Sequence, residues 1–143
     1  AYTVLKGTDT KQGDYKKTTL DGQVLEEAFF ENGKMQGEQR IYDKGNLYSI
    51  AQFVDGELHG LYQTFYPDSP LNVEGEYVNN VMEGKWKRYY PNGDLMEIVN
   101  FKDNNENGPF VEFYPNGNLK AEGSYLNGDN EHGELFLYDI NAV

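Results

Sequence analysis

The sequence predicts an all-β fold: an elongated antiparallel single-sheet meander of stacked β-hairpin repeats. Three observations carry this. First, glycines fall on one register, Gly13, Gly37, Gly60, Gly84, Gly108 and Gly133, at steps of 24, 23, 24, 24 and 25 residues. A fixed period of this size marks one supersecondary unit stacked repeatedly. Second, apolar residues alternate at even offsets within each unit, the period of a strand. Third, Asn-Gly and Asp-Gly pairs separate the apolar runs, the strongest short-range hairpin signal. No stretch places apolar residues at i, i+3, i+4 and i+7, so helix signals are absent.

The elements follow in order within each unit. The first strand carries Tyr15, Tyr62, Trp86 or Phe110 near its start and a Tyr or Phe pair near its end. A Pro-Asn-Gly turn follows, clearest in Tyr90-Pro91-Asn92-Gly93 and Tyr114-Pro115-Asn116-Gly117. Gly22 and Gly45 are the equivalents; one residue is missing before the second. The third unit places Ser69 at this point, ahead of Pro70. Serine tolerates positive φ poorly, so a different backbone path is expected there.

The second strand reads from the turn glycine. Two residues on lies Val24, Leu47, Leu71, Leu95 or Leu119. Six on lies a small or β-branched residue, Ala28, Ala51, Gly75, Val99 or Gly123. Eight on lies an aromatic, Phe30, Phe53, Tyr77, Phe101 or Tyr125. All three offsets are even, which predicts that these residues share one face. Ten on lies Asn32, Asp55, Asn79, Asp103 or Asn127, with glycine or asparagine next, closing the unit in a second turn. Residues 1–12 read as an N-terminal cap strand or leader. Residues 13–143 read as five hairpin repeats of about 24 residues plus a partial sixth. Terminal edge strands near 2–5 and 134–138 are open to pairing.

These units resemble MORN-type repeats, in the bacterial variant found in proteins labelled YwqK-family antitoxins. The similarity is carried by Trp86, Tyr89-Tyr90-Pro91-Asn92-Gly93-Asp94-Leu95 and Phe101, and again by Phe110, Tyr114-Pro115-Asn116-Gly117-Asn118-Leu119 and Tyr125. It spans about residues 13–138. The resemblance implies elongated, curved hairpin stacks used for binding or scaffolding, and it brings no functional residue with it. Ser69 and Asn79-Asn80 depart from the pattern, so the third unit is where an irregular path is expected.

At 143 residues the chain is one domain by length. A repeat sheet buries its apolar face by stacking neighbours, so its core is linear. Tyr and Phe take over much of the packing. Net charge is −12, unevenly spread. Residues 45–84 hold six acids, Asp55, Glu57, Asp68, Glu74, Glu76 and Glu83, and no base. Residues 85–102 are the exception, with Lys85, Lys87, Arg88 and Lys102. Acidity keeps an open sheet soluble and guards its edges; it also attracts a cationic partner. Nucleic-acid or anionic-membrane binding is disfavoured, since either needs a basic stripe and this chain offers only a small one. There is no cysteine, hence no disulfide and no redox signal of compartment. No apolar run is long enough to span a bilayer as a helix. The chain begins at Ala1, without an initiator methionine, which favours an exported or cell-surface protein.

Catalytic and metal constellations are not found. His59 and His132 each precede a register glycine, three units apart, and read as surface turn residues. Asp103-Asn104-Asn105-Glu106-Asn107-Gly108 matches the first half of a calcium loop. Its ninth and twelfth positions are Val111 and Tyr114, so a plain polar turn is expected. Glu26 and Glu27 point to opposite faces of a strand, and a flat sheet gives Glu74 and Glu76 no pocket for acid–base work. The expectation is a non-enzymatic protein-binding scaffold with no cofactor and no metal. Asp55, Glu57, Glu74, Glu76 and Glu83 are the partner-binding candidates. Two alternatives are an antitoxin or immunity protein neutralising a cationic toxin, and a cell-surface carbohydrate-binding module using rows of Tyr and Trp.

Overall fold

The computed structural model describes residues 3–4, 7, 9–128 and 135–141. Among these residues there is no helix. Thirteen strands follow one another: β1 (Thr3–Val4), β2 (Lys11–Thr18), β3 (Val24–Glu31), β4 (Lys34–Met35), β5 (Gly37–Asp43), β6 (Asn46–Val54), β7 (Glu57–Phe65), β8 (Leu71–Val78), β9 (Val81–Tyr89), β10 (Leu95–Lys102), β11 (Asn105–Phe113), β12 (Leu119–Tyr125) and β13 (Leu135–Leu137). They form one open sheet ordered β1-β2-β3-β5-β6-β7-β8-β9-β10-β11-β12-β13, with β4 pairing β3 just ahead of β5. Every pairing is antiparallel and, apart from β3 with β5 across the two-residue β4, joins chain neighbours, the meander read from the repeats.

The two turns of each unit have separate chemistries. At the Asn/Asp turns both central residues take positive φ, as in Asp55 (50°) with Gly56 (84°) and Asn79 (48°) with Asn80 (67°). These are the mirror-image turns whose twist matches a hairpin. Asn79-Asn80 therefore follows the regular path. At the Pro turns, Gly93 N–H donates to the Tyr90 carbonyl at 2.9 Å and Tyr90 N–H to the Asp94 carbonyl at 2.8 Å. Ser69 does not take the different path that serine predicts. Its φ is 77°, its N–H donates to the Tyr66 carbonyl at 2.9 Å, and Tyr66 N–H donates to the Pro70 carbonyl at 2.9 Å. The neighbouring hairpins dictate the turn, and serine is held in a conformation it disfavours.

A second departure concerns the strand faces. Leu95 pairs with Tyr89 and Glu97 with Arg88, leaving Met96 as an extra residue. The same shift follows each of the other four Pro-type turns, at Lys17/Thr18, Ile41/Tyr42, Thr64/Phe65 and Glu112/Phe113. One inserted residue inverts the alternation beyond it. Val24, Leu47, Leu71, Leu95 and Leu119 thus lie on the face opposite the small and aromatic residues, not beside them.

The aromatic face holds the core. Its buried residues are Ala28, Phe30, Ala51, Trp86, Val99, Phe110 and Ala121, with Ser49 and Thr64. The period of the register glycines has a direct cause. Gly13 faces Phe30, Gly37 faces Phe53, Gly60 faces Tyr77, Gly84 faces Phe101 and Gly108 faces Tyr125 across the strands. Gly60, at φ 112°, shows the conformation such a site requires. Trp86 is the hub of the central cluster, with ring centroids 5.2 Å from Tyr77, 5.9 Å from Tyr62 and 6.0 Å from Phe101. At the N-terminal end Lys11 lies over the rings of Tyr15 and Phe30, at 4.9 and 4.8 Å.

Both margins of the sheet are laced from unit to unit. Along the Asn/Asp turns, Gly33, Gly56, Asn80, Asn104 and Gly128 donate backbone N–H bonds to Lys11, Met35, Leu58, Met82 and Glu106. Along the Pro turns, the hydroxyls of Tyr66, Tyr90 and Tyr114 reach the carbonyls of Tyr89, Phe113 and Tyr138 at 2.8, 2.8 and 3.0 Å.

Candidate binding face

The face opposite the core is the open one. It carries Phe29, Val54, Leu61 and Val78, each two-fifths or more exposed. The five acidic candidates divide between two places. Glu74 and Glu76 on β8 share this face with Glu83 on β9 and border one shallow depression of about 400 Å³. Glu76 and Glu83 are direct cross-strand partners, a like-charge pair that costs stability. Lys85 and Lys87 border the same depression. Asp55 and Glu57 lie at the β6–β7 turn on the Asn/Asp margin.

Several of these acids already have partners. Glu74 accepts the Tyr89 hydroxyl at 2.7 Å and lies 3.9 Å from the Lys87 ammonium. Burial first, then the bond to Glu74, pushes the Tyr89 phenol up to about 12. Glu83 accepts the Asp103 N–H at 3.0 Å. Asp55 accepts the Gln36 side-chain amide at 2.6 Å.

In the described hairpins the residue before the register glycine braces the far turn. Gln12 accepts from Asn32 N–H at 2.8 Å and Asn107 from Asn127 N–H at 3.2 Å, as Glu83 does from Asp103. His59 fills the equivalent place, its Nδ1 3.1 Å from Asn79 Oδ1. His132 lies outside the described residues. Asp103 and Asn104 form a two-residue turn and Asn105–Gly108 open β11, so the calcium-like run is split between turn and strand. No cluster of three or more potential ligands occurs among the described residues.

A longer alternation on the open face was not foreseen. Glu27 accepts the Tyr42 hydroxyl at 3.0 Å and pairs with Lys16 at 2.9 Å. Glu74 accepts from Tyr89, and Glu122 accepts from Tyr138 at 2.8 Å. In the intervening units the same positions hold Ile50 with Phe65 and Ile98 with Phe113. Polar brackets and apolar pairs therefore alternate unit by unit. The signal lies in the sequence as Glu-to-Tyr and Ile-to-Phe steps of 15 or 16 residues.

The aromatic face has its own charged border. Arg88 lies 3.6 Å from Glu97, and Lys120 lies 3.2 Å from Glu112. Burial raises the Glu97 carboxyl above its ordinary range, with Glu112 and Glu106 adding to the rise and Arg88 opposing it.

No curated protein matches the chain by sequence. Among solved structures, one described as the crystal structure of accessory secretory protein 1,2 and 3 in Streptococcus pneumoniae is similar at 9% identity, with a TM-score of 0.29. The alignment covers 96% of this chain and 21% of that one, so the chain spans about a fifth of its length. Three consecutive stretches, residues 58–79, 82–103 and 106–127, match the family model described as a MORN repeat variant. Each matched stretch is one hairpin, and together they cover just under half of the chain.

Proposed function

We propose that this protein is a non-catalytic repeat scaffold that binds a protein partner through the open face of its sheet. One observation carries the reading. The sheet closes one face with its own aromatic side chains and leaves the other uncovered, with exposed apolar residues set among acids. MORN-variant repeats fit such a role. The aromatic rows serve packing: Trp86, Phe30 and Phe110 are buried, which gives a sugar ring no stacking platform there. The finer reading is a cationic partner, supported by the charge of −12 and by Glu57, Glu74, Glu76 and Glu83 on or beside the open face. A toxin-neutralising role is one instance of it.

Affinity capture from source-cell lysate and surface extract, washed at low and high salt, tests this reading. The comparison variant carries Asp55→Asn, Glu57→Lys, Glu74→Gln, Glu76→Lys and Glu83→Gln. Gln keeps the acceptors that Tyr89 and Asp103 use, so the fold is spared. The expected result is a basic protein retained by the native chain, released by high salt, and not retained by the variant. Equal retention by both proteins would sink the electrostatic version.

A further inference from the structure

We infer that Glu97 and Glu112 share one proton in weak acid, which makes the joint between β10 and β11 a pH-operated latch. The two residues are in-register partners across β10 and β11 on the aromatic face. Carboxylates directly opposite one another repel when both are ionised. A base closes each outer flank: Arg88 on β9 lies 3.6 Å from Glu97, and Lys120 on β12 lies 3.2 Å from Glu112. The order across four strands is therefore base, acid, acid, base, around a hollow of about 210 Å³ that Tyr90 and Met96 also border. Glu106, opposite Phe101 on β11, adds a third negative charge nearby. Lys87 lies on the other face, 3.9 Å from Glu74.

The two bases are unequal, and that places the proton. Lys120 is within hydrogen-bond distance of Glu112 and holds it ionised. Arg88 is beyond that distance from Glu97 and more than half exposed, so water screens it. The Glu97 side chain is only 22% exposed and accepts no hydrogen bond among the described residues. A half-buried carboxyl beside a like charge is the one that protonates first. Its O–H then donates to a Glu112 oxygen, a charge-assisted bond across the strands. When both acids ionise, repulsion replaces that bond. The other in-register acid pair, Glu76 with Glu83 on the open face, has a different remedy. Glu83 accepts the Asp103 N–H at 3.0 Å, Lys85 and Lys87 stand beside the pair, and Glu76 is exposed to water. The β10–β11 pairing joins one hairpin to the next. In a sheet stabilised neighbour by neighbour, a weakened joint opens locally. Glu97 stabilises it fully below the ordinary 4.5 and loses that effect as pH rises through its raised folded value, so acid fastens the joint and neutral pH loosens it.

Carboxyl NMR titration, with amide hydrogen exchange between pH 4.5 and 7.5, tests this on the native chain and on Glu97→Gln and Glu112→Gln. Glutamine keeps the shape of glutamate, so both variants fold. In the native chain the Glu97 and Glu112 signals should move together through two steps, as coupled groups do. Glu112→Gln should leave a single Glu97 step closer to 4.5. Protection factors of the β10 and β11 amides, which already allow for the intrinsic exchange rate, should rise about threefold from neutral pH to weak acid. That rise should be missing from Glu97→Gln, whose amide cannot ionise, and from the distant β2–β3 hairpin in every protein. A Glu97 step unmoved by Glu112→Gln would leave burial alone as its cause and overturn the shared proton. Protection at the β10–β11 joint that ignores pH, or that rises equally in Glu97→Gln, would overturn the latch.

Discussion

The Tyr90 hydroxyl donates to the Phe113 carbonyl at 2.8 Å, fastening one Pro turn to the strand end one unit ahead. Tyr66 and Tyr114 repeat the bond 24 residues to either side. In a stack whose units touch only their neighbours, such bonds belong to the interface term that couples them. Tyr90→Phe removes the donor, keeps the ring and leaves the carbonyl unpaired. The expected cost is about 1 kcal/mol, lowering the thermal midpoint by roughly 2–4 °C. Calorimetry of the variant checks it, and an unchanged midpoint would place the bond outside the stabilising interface.

Ser69 is held at φ 77° by the same pair of backbone bonds that hold Gly93 at φ 92°. An L-residue with a side chain is strained there, and glycine is not. Ser69→Gly should stabilise the protein by about 0.5–1 kcal/mol after glycine's greater chain entropy is deducted. Denaturant unfolding reads this as a higher midpoint with an unchanged slope. A lower midpoint would mean that the serine side chain contributes something its geometry does not reveal.

Gly75 makes room for Trp86. A Cβ on Gly75 would lie 2.1 Å from Trp86 Cδ2 and 2.3 Å from Cε2, closer than side chains approach. Gly75→Ala should cost about 1–3 kcal/mol through overpacking. Trp86→Phe should cost less than most core truncations. The indole Nε1 is buried without an acceptor, and removing an orphan donor returns about 1–3 kcal/mol of desolvation. Alanine already faces a single ring at Ala28 with Tyr15 and at Ala51 with Tyr62. The double variant should therefore be more stable than the sum of its parts, a coupling that a double-mutant cycle measures.

The repeat, the turns and the strand order were legible in the sequence because glycine and asparagine mark backbone conformations that other residues avoid. In the five described hairpins the register glycine and its aromatic stand 17 residues apart, 16 for Gly37 and Phe53, and the structure shows each pair face to face. The bulge was not legible. Met96 and its equivalents differ in chemistry, and nothing in their side chains announces an inserted residue, so counting by twos placed Leu95 beside Val99. Ser69 misled for a different reason: local preference yielded to hairpins on both sides. The acids were read as free charge, yet Glu74 and Glu83 are engaged by Tyr89 and Asp103, partners that only the strand register brings near. The alternation of Glu74 with Ile98 was present in the sequence, but it gains meaning only once residues 15 apart are known to meet across the sheet.

Glu27 and Glu97 should respond to pH with opposite signs. The Lys16 side chain, then the Tyr42 hydroxyl, hold the Glu27 carboxyl below its ordinary 4.5. Its stabilising contribution is present above that value and is lost as pH falls through the lowered folded one. Burial lifts Glu97 above 4.5. Its contribution is full below 4.5 and is lost as pH rises through the raised folded value, so at pH 7 the ionised carboxylate costs stability. Glu97→Gln should accordingly raise stability at pH 7 and lose that advantage toward pH 4, because glutamine never ionises. Arg88 is more than half exposed and is left to water, so breaking its pair at 3.6 Å adds little. Glu27→Gln should lower stability at pH 7 and approach the native chain in acid. Unfolding free energies of both variants from pH 3.5 to 8 decide the matter. Parallel pH curves for the two substitutions would show that desolvation does not govern Glu97.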